Sequence, residues 1–153
     1  MTDKVFVDTN ILVYAHDLDA GQKHQSAASL VRVVWETENG VLSTQVLQEF
    51  YVNVTRKIPK PLAAARARGI VANYMNWQIE INGADTILFA SEIEERHQLS
   101  FWDAMIVAAA IRVGAVELLT EDLNHGQVIE GVKIRNPFVT DYGNPEQVPL
   151  LSR

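Results

Sequence analysis

The sequence predicts an α/β fold with a mainly parallel central sheet. Short apolar runs, Val5-Phe6-Val7, Val41-Leu42-Ser43 and 116–120, read as strands buried within such a sheet. Between them lie segments whose apolar residues recur at helical spacing, and strands that alternate with helices build α/β folds. The 153 residues suit one domain with its own core. We place that domain at 1–140 and an irregular, partly mobile tail at 141–153, where Pro145 and Pro149 fall among polar residues.

In chain order, the first strand runs into Asp8, and Asp8-Thr9-Asn10 offers capping side chains before Ile11-Leu12-Val13-Tyr14. A helix over 24–38 carries Ala27, Leu30, Val31, Val34 and Trp35 on one face. Asn39-Gly40 reads as a turn into the strand at 41–43. The next helix, over 44–57, aligns Leu47, Phe50, Tyr51 and Val54, and Pro59 and Pro61 break it. A helix over 62–75 tolerates Gly69, a strand covers 77–81, and Asn82-Gly83 turns the chain. Along a helix over 84–98, Glu92 and Arg96 stand at i,i+4. Ser100 caps a helix that ends at Gly114. A third core strand follows at 116–120, and Val132-Lys133-Ile134 reads as a last, edge strand. No internal repeat or low-complexity segment interrupts this order.

Composition narrows the function classes. Apolar residues make up 48% and charged residues 21%, as in globular domains, which argues against disorder. The absence of cysteine excludes disulfides, thiolate metal sites and cysteine catalysis, and is compatible with the cytoplasmic setting we expect. The N-terminus has no signal-peptide pattern, and the apolar stretch at 104–111 is too short to span a bilayer and reads as a buried helix. A net charge of −6 argues against a passive duplex-gripping protein, whose affinity comes from phosphate contacts. It leaves room for a metal nuclease, whose carboxylates reach phosphate through cations.

Four carboxylates stand out. Asp8 ends the first strand and Asp122 follows the 116–120 strand, so both emerge at the sheet edge where α/β folds bind ligands. The plainer readings are a helix N-cap for Asp8 and a turn residue for Asp122. Asp103 is the only charged side chain between Ser100 and Ile111 and shares a helix face with Ile106, Val107 and Ala110. A buried carboxylate must be paired, protonated or bound to metal. The plainer reading there is a capping box with Ser100. Glu49 lies opposite the apolar stripe, beside Gln45, Asn53 and Arg56, and periodicity alone makes it solvated.

Other chemistries find little support. His16, His24, His97 and His125 lack zinc-ligand spacing, and Ser43 and Ser100 have no nucleophile elbow. There is no Walker-type loop and no G-x-G-x-x-G. Trp102 can stack on a base, but an aromatic beside an apolar helix is more often core.

Together the acids resemble the PIN-domain signature. Val7-Asp8-Thr9-Asn10-Ile11-Leu12 is similar to its opening D-T-N-hydrophobic motif, and Ser43-Thr44-Gln45-Val46-Leu47-Gln48-Glu49-Phe50 to its second block. Phe101-Trp102-Asp103-Ala104-Met105-Ile106 looks like the third, Leu119-Thr120-Glu121-Asp122-Leu123 the fourth, and Asn136-Pro137-Phe138 the close of the domain. The match runs from 5 to about 138. It implies a three-layer α/β/α fold whose pocket of Asp8, Glu49, Asp103 and Asp122 holds magnesium or manganese. Thr9, Asn10 and Thr120 would support the acids, and either Glu121 or Asp122 can be the fourth. The implied reaction is hydrolysis of RNA phosphodiester bonds by a metal-activated water. Many small single-domain members are VapC-like toxins, dimeric and silenced by a cognate antitoxin, so the implied partners are RNA, an antitoxin and a second copy.

The implied chemistry suits these residues. Magnesium takes oxygen ligands and bridges to phosphate, and clustered carboxylates without it raise one another's pKa. Arg56, Lys57, Lys60, Arg66 and Arg68 can guide RNA or form an ordinary solvated face. Among rival enzymes, a haloacid-dehalogenase-type phosphatase wants an aspartate where Asn10 stands, and a receiver domain wants paired early acids and a late lysine. A DNA flap nuclease normally needs extra helical and basic segments. The non-enzyme alternative is an inactive RNA-binding or scaffold domain of the same fold.

Overall fold

The computed structural model describes residues 3–139, so the tail assigned to 141–153 lies outside the described residues. Its elements are β1 (Val5–Val7), α1 (Thr9–His16), α2 (Gln22–Thr37), β2 (Gly40–Ser43), α3 (Thr44–Arg56), α4 (Ala64–Tyr74), β3 (Gln78–Glu80), α5 (Ala84–His97), α6 (Phe101–Arg112), β4 (Glu117–Leu119), β5 (Val128–Ile129) and β6 (Val132–Arg135). A single 3-10 turn, Leu18–Ala20, links α1 to α2.

The apolar triplet Val5–Val7 is wholly buried and lies mid-sheet, in the order β3-β2-β1-β4-β6-β5. All pairings are parallel except the β5–β6 hairpin. The chain steps outward from β1 through β2 to β3, then returns to the other side of β1 as β4. The point where the order reverses therefore lies between β1 and β4, and in such sheets the crevice opens at the strands' carboxyl ends there. Helix α1 packs on α2 and α3, and α3 on α4, while α5 packs on α6, giving the three-layer α/β/α arrangement expected.

The alanine run explains the place of α6. Residues 104–110 are all buried, so this stretch of the helix is enclosed on every side rather than along one stripe. Small alanine side chains let its backbone approach β2, β4 and β6. Gly114, with φ +76, ends it in the left-handed conformation that glycine tolerates.

Three expectations need correction. The strand at 132–135 is not an edge strand: it pairs with β4 on one side and with the short edge strand β5 on the other. The hairpin turns at Glu130-Gly131, both with positive φ, as a two-residue loop matching strand twist requires. Asn39-Gly40 is not the turn. Glu38, with φ 56, caps α2 and reverses the chain, and Gly40 already pairs with Val5. Trp35 leaves the buried stripe of Ala27, Leu30, Val31 and Val34. It lies at the rim, stacked on Tyr74 at 5.7 Å and edge-on to Trp77 at 5.2 Å. The Glu92–Arg96 pair forms at 3.3 Å.

Gly40 is needed for space rather than for its φ. A Cβ there would stand 2.6 Å from both Trp77 Cε3 and Val34 Cγ1, which are buried and have little room to retreat. Gly40→Ala is expected to cost about 1–3 kcal/mol in urea unfolding; a variant as stable as the parent would refute the tight approach. His16 supplies a pH dependence. Its ring lies against Phe50 and Tyr74, with Nε2 2.8 Å from the Tyr74 hydroxyl. Burial first, then the charges of Arg66 and His24, lower its pKa to about 4. The folded state thus keeps His16 neutral, and its contribution is full above the unfolded pKa near 6.5 and lost as pH falls toward 4. Between pH 7 and 4, His16→Phe should lose up to about 3 kcal/mol less stability than the parent. Parallel pH curves for the two proteins would remove this role.

Candidate active site

Two helices begin where parallel strands end, directing their N-terminal dipoles at the same sheet edge. Asp8 is the N-cap of α1, and its Oδ1 accepts from Thr9 N at 2.7 Å. Ser43 ends β2 and caps α3 through Val46 N. On the other face of the sheet, Ser100 caps α6 through Asp103 N at 3.1 Å.

Asp8 is the centre of the arrangement. Its Oδ2 accepts from Thr120 Oγ1 at 2.8 Å, across the reversal between β1 and β4. The residue is 5% exposed. Burial pushes its pKa up to about 7; the Thr120 and Thr9 hydrogen bonds oppose that rise, and the charges of Asp122 and Glu49 add to it. Glu117, 6% exposed, makes the contrast: Arg135 Nε meets its carboxylate at 2.8 Å, whereas no lysine or arginine is paired with Asp8 among the described residues.

The other predicted acids gather around Asp8 to different degrees. Glu49 is half-buried rather than solvated, because its face of α3 turns toward α1. Thr9 Oγ1 donates to it at 2.7 Å and Gln45 Nε2 at 3.3 Å. Asn10 Nδ2 donates to Asp122 Oδ2 at 2.9 Å, and Asp122 N donates to Thr120 Oγ1 at 3.1 Å. Burial, then the Asp103 and Glu121 charges, raise the Asp122 pKa. Asp103 forms only the backbone half of a capping box with Ser100, so its carboxylate is not spent there. Glu121 is taken up elsewhere, by the Tyr14 hydroxyl at 2.7 Å and Lys23 at 2.8 Å.

Asp8, Thr9, Asn10, Glu49 and Asp122 line one cleft of about 340 Å³ with Val13, Tyr14 and Asn53. Asp103 does not line it but is near enough to act on Asp122 through its charge. Among the described residues no basic side chain lines this cleft. Among the described residues no three acid or histidine side chains converge tightly enough to enclose an ion as they stand. Two buried acceptors beside the acids, Asn10 Oδ1 and Gln45 Oε1, have no donor. Gln45 was not singled out from sequence. Its i,i+4 spacing to Glu49 was the available signal, but it fell on the face assigned to solvent. Trp102 also departs from expectation: its side chain is exposed, not core.

A PIN domain family model matches residues 5–130. The fold is similar to that of VapC20 from Mycobacterium tuberculosis, described as a sarcin-ricin loop cleaving toxin, at 23% identity and TM-score 0.58, covering 75% of this chain and 87% of that one. It is similar to a toxin-antitoxin complex from Klebsiella pneumoniae, at 22% identity and TM-score 0.62, covering 84% and 95%. It is also similar to DNA-bound VapBC from Salmonella typhimurium, at 18% identity and TM-score 0.60, covering 88% and 98%. At these identities the likeness is one of fold. A search of curated proteins gives no match.

The two bonds of Thr120 Oγ1 make it the keystone of this edge. Thr120→Val would leave the Asp8 carboxylate and the Asp122 N–H each short of a partner, at a cost of roughly 1–3 kcal/mol for such a buried group. Urea unfolding measures the loss, and a value near zero would mean that these bonds support nothing.

Proposed function

The chain belongs to the PIN domain family, and from that premise we propose that it is a metal-dependent endoribonuclease, the toxin component of a toxin–antitoxin pair. One observation carries the metal dependence. Asp8 is as buried as Glu117, yet Glu117 has Arg135 and Asp8 has only neutral donors. A buried carboxylate without a cation is costly, and an external cation offsets that cost.

The donor set fits a hard divalent ion. It is oxygen-only, acid-rich and free of basic side chains, and Asn10 Oδ1 and Gln45 Oε1 add buried acceptors in want of a partner. Asp8, Glu49, Asp103 and Asp122 would hold magnesium or manganese after small side-chain shifts. Between Glu121 and Asp122, the Tyr14 and Lys23 contacts of Glu121 favour Asp122 as the fourth acid. The bound ion supplies an acidified water and charge neutralisation at phosphorus. Thr120 and Thr9 orient Asp8, Asn10 orients Asp122, and Thr9 and Gln45 orient Glu49. Fixing these carboxylates in advance spares their reorganisation during phosphodiester hydrolysis.

RNA as substrate, a cognate antitoxin and a homodimer are the partners we assign; neighbours described as a sarcin-ricin loop cleaving toxin and a toxin–antitoxin complex support the first two. The nuclease domain spans 1–140 and the tail 141–153. Among the described residues no helix is long and apolar enough to cross a membrane, and we place the activity in the cytoplasm.

The test is cleavage of a mixed RNA pool by antitoxin-free protein, with magnesium, manganese or EDTA, beside Asp103→Asn. We expect metal-dependent cutting, reduced roughly a hundredfold or more in a variant that still melts cooperatively. Manganese should also raise the melting temperature of the parent. No cutting with either ion, together with a melt that ignores manganese, would leave the protein a scaffold and end this reading.

A further inference from the structure

Trp102 is 64% exposed, against 37% for Trp35 and 9% for Trp77. It is the second residue of α6, a helix whose residues 104–110 are all buried, so its exposure does not come from a loose segment. Its ring is braced by Phe101 alone among the described aromatic side chains, at 5.3 Å and 77°. A single edge-to-face contact leaves at least one indole face open.

The backbone of Trp102 is tied to the acidic site. Gln45 Nε2 donates to Trp102 O at 3.4 Å and to Glu49 Oε2 at 3.3 Å. Both partners are acceptors, so the carboxamide orientation is set by chemistry and one amide group links the exposed tryptophan to the acid. The next residue, Asp103, acts on Asp122 through its charge. The backbone that carries the open indole is thus anchored beside the acid cluster.

A polyanion approaching this cluster meets carboxylates and no basic side chain in the cleft, on a protein of net charge −6. The cleft's own side chains offer such a strand no cationic phosphate contact, so an uncharged contact beside the cleft adds affinity that the bound ion alone does not supply. Stacking on an aromatic ring is such a contact, and every nucleobase has a face for it. We propose that Trp102 is the stacking platform for an unpaired nucleobase of an RNA strand whose backbone lies at the acidic cleft. This rests on the nuclease reading above and adds to it a residue that touches the substrate outside the acidic cleft. A base inside a duplex is already stacked on its neighbours and has no free face to give.

The experiment pairs binding with cleavage. A fluorescein-labelled, unstructured oligoribonucleotide is titrated with the full chain in calcium, and its anisotropy followed, alone and annealed to its complement. The variants are Trp102→Leu, which keeps apolar bulk, and Trp102→Phe, which keeps an aromatic face. For the single strand, Trp102→Leu should weaken binding about 10- to 100-fold and Trp102→Phe should restore most of it. The duplex should bind weakly and equally to all three. In manganese, the Trp102→Leu loss should fall on KM more than on kcat, as expected when a remote binding contact is removed. Equal affinity of parent and Trp102→Leu for the single strand overturns the proposal, even where cleavage is metal-dependent. So does a fall in light-scattering mass in Trp102→Leu, which would make the indole a contact between copies of this chain. Tryptophan-dependent binding without cutting in any metal would uphold the platform and sink the nuclease reading instead.

Discussion

The structure depends on a carboxylate buried at the middle of the sheet without a cation. Asp8 leaves β1 where the strand order reverses and caps α1 with its own side chain. Its two oxygens are met by a backbone N–H and a threonine hydroxyl, so the hydrogen-bonding need is answered while the charge is not. Burial therefore dominates, and the carboxyl holds its proton far above the ordinary range. The helix dipole at the start of α1 and the capping bond offset only part of that cost.

The surrounding residues follow the same rule. Thr9, Asn10, Gln45 and Thr120 donate to the acids, and none of them carries charge. Neutral donors fix carboxylates in position without cancelling their field. The nearby cation, Lys23, is spent on Glu121, on the flank of the cluster, where it also rides over the rings of Tyr14 and Phe138. The arrangement keeps negative charge concentrated at the edge where an external cation can reach it. The stability lost by that concentration is the familiar cost of a functional site.

The scaffold makes such concentration sustainable. Seven consecutive small or apolar residues of α6 press that helix against the sheet and carry Asp103 to the acidic edge. Gly40 lets β2 pass close beneath Trp77 and Val34. Elsewhere, burial of charge is neutralised in the ordinary way, as with Glu117 and Arg135. Among the described residues, a buried acid without a cation is thus confined to this one edge.

By itself the sequence determined the layered α/β class, the order of the long helices and the residues at the ends of β1, β2 and β4. Each rests on local patterning: apolar runs, helical periodicity, capping side chains and a terminal glycine. It also placed Asp8 and Asp122 at one edge, because strand ends in a parallel sheet share a direction. What it could not carry was whatever two distant segments decide between them. The hairpin of β5 and β6 was missed because two residues of strand have no period, although Glu130-Gly131 between apolar pairs hinted at its turn. Gly40 was read as a turn because close approach by Trp77, 37 residues along the chain, leaves no local mark. Glu49 and Gln45 looked solvated because periodicity identifies the face that meets the main core, not the face that meets α1. Trp102 looked buried because its neighbours are, and only the packing of α6 shows that its ring falls outside. Burial and charge pairing belong to the assembled fold, since each depends on which groups remote segments bring, or fail to bring, within reach.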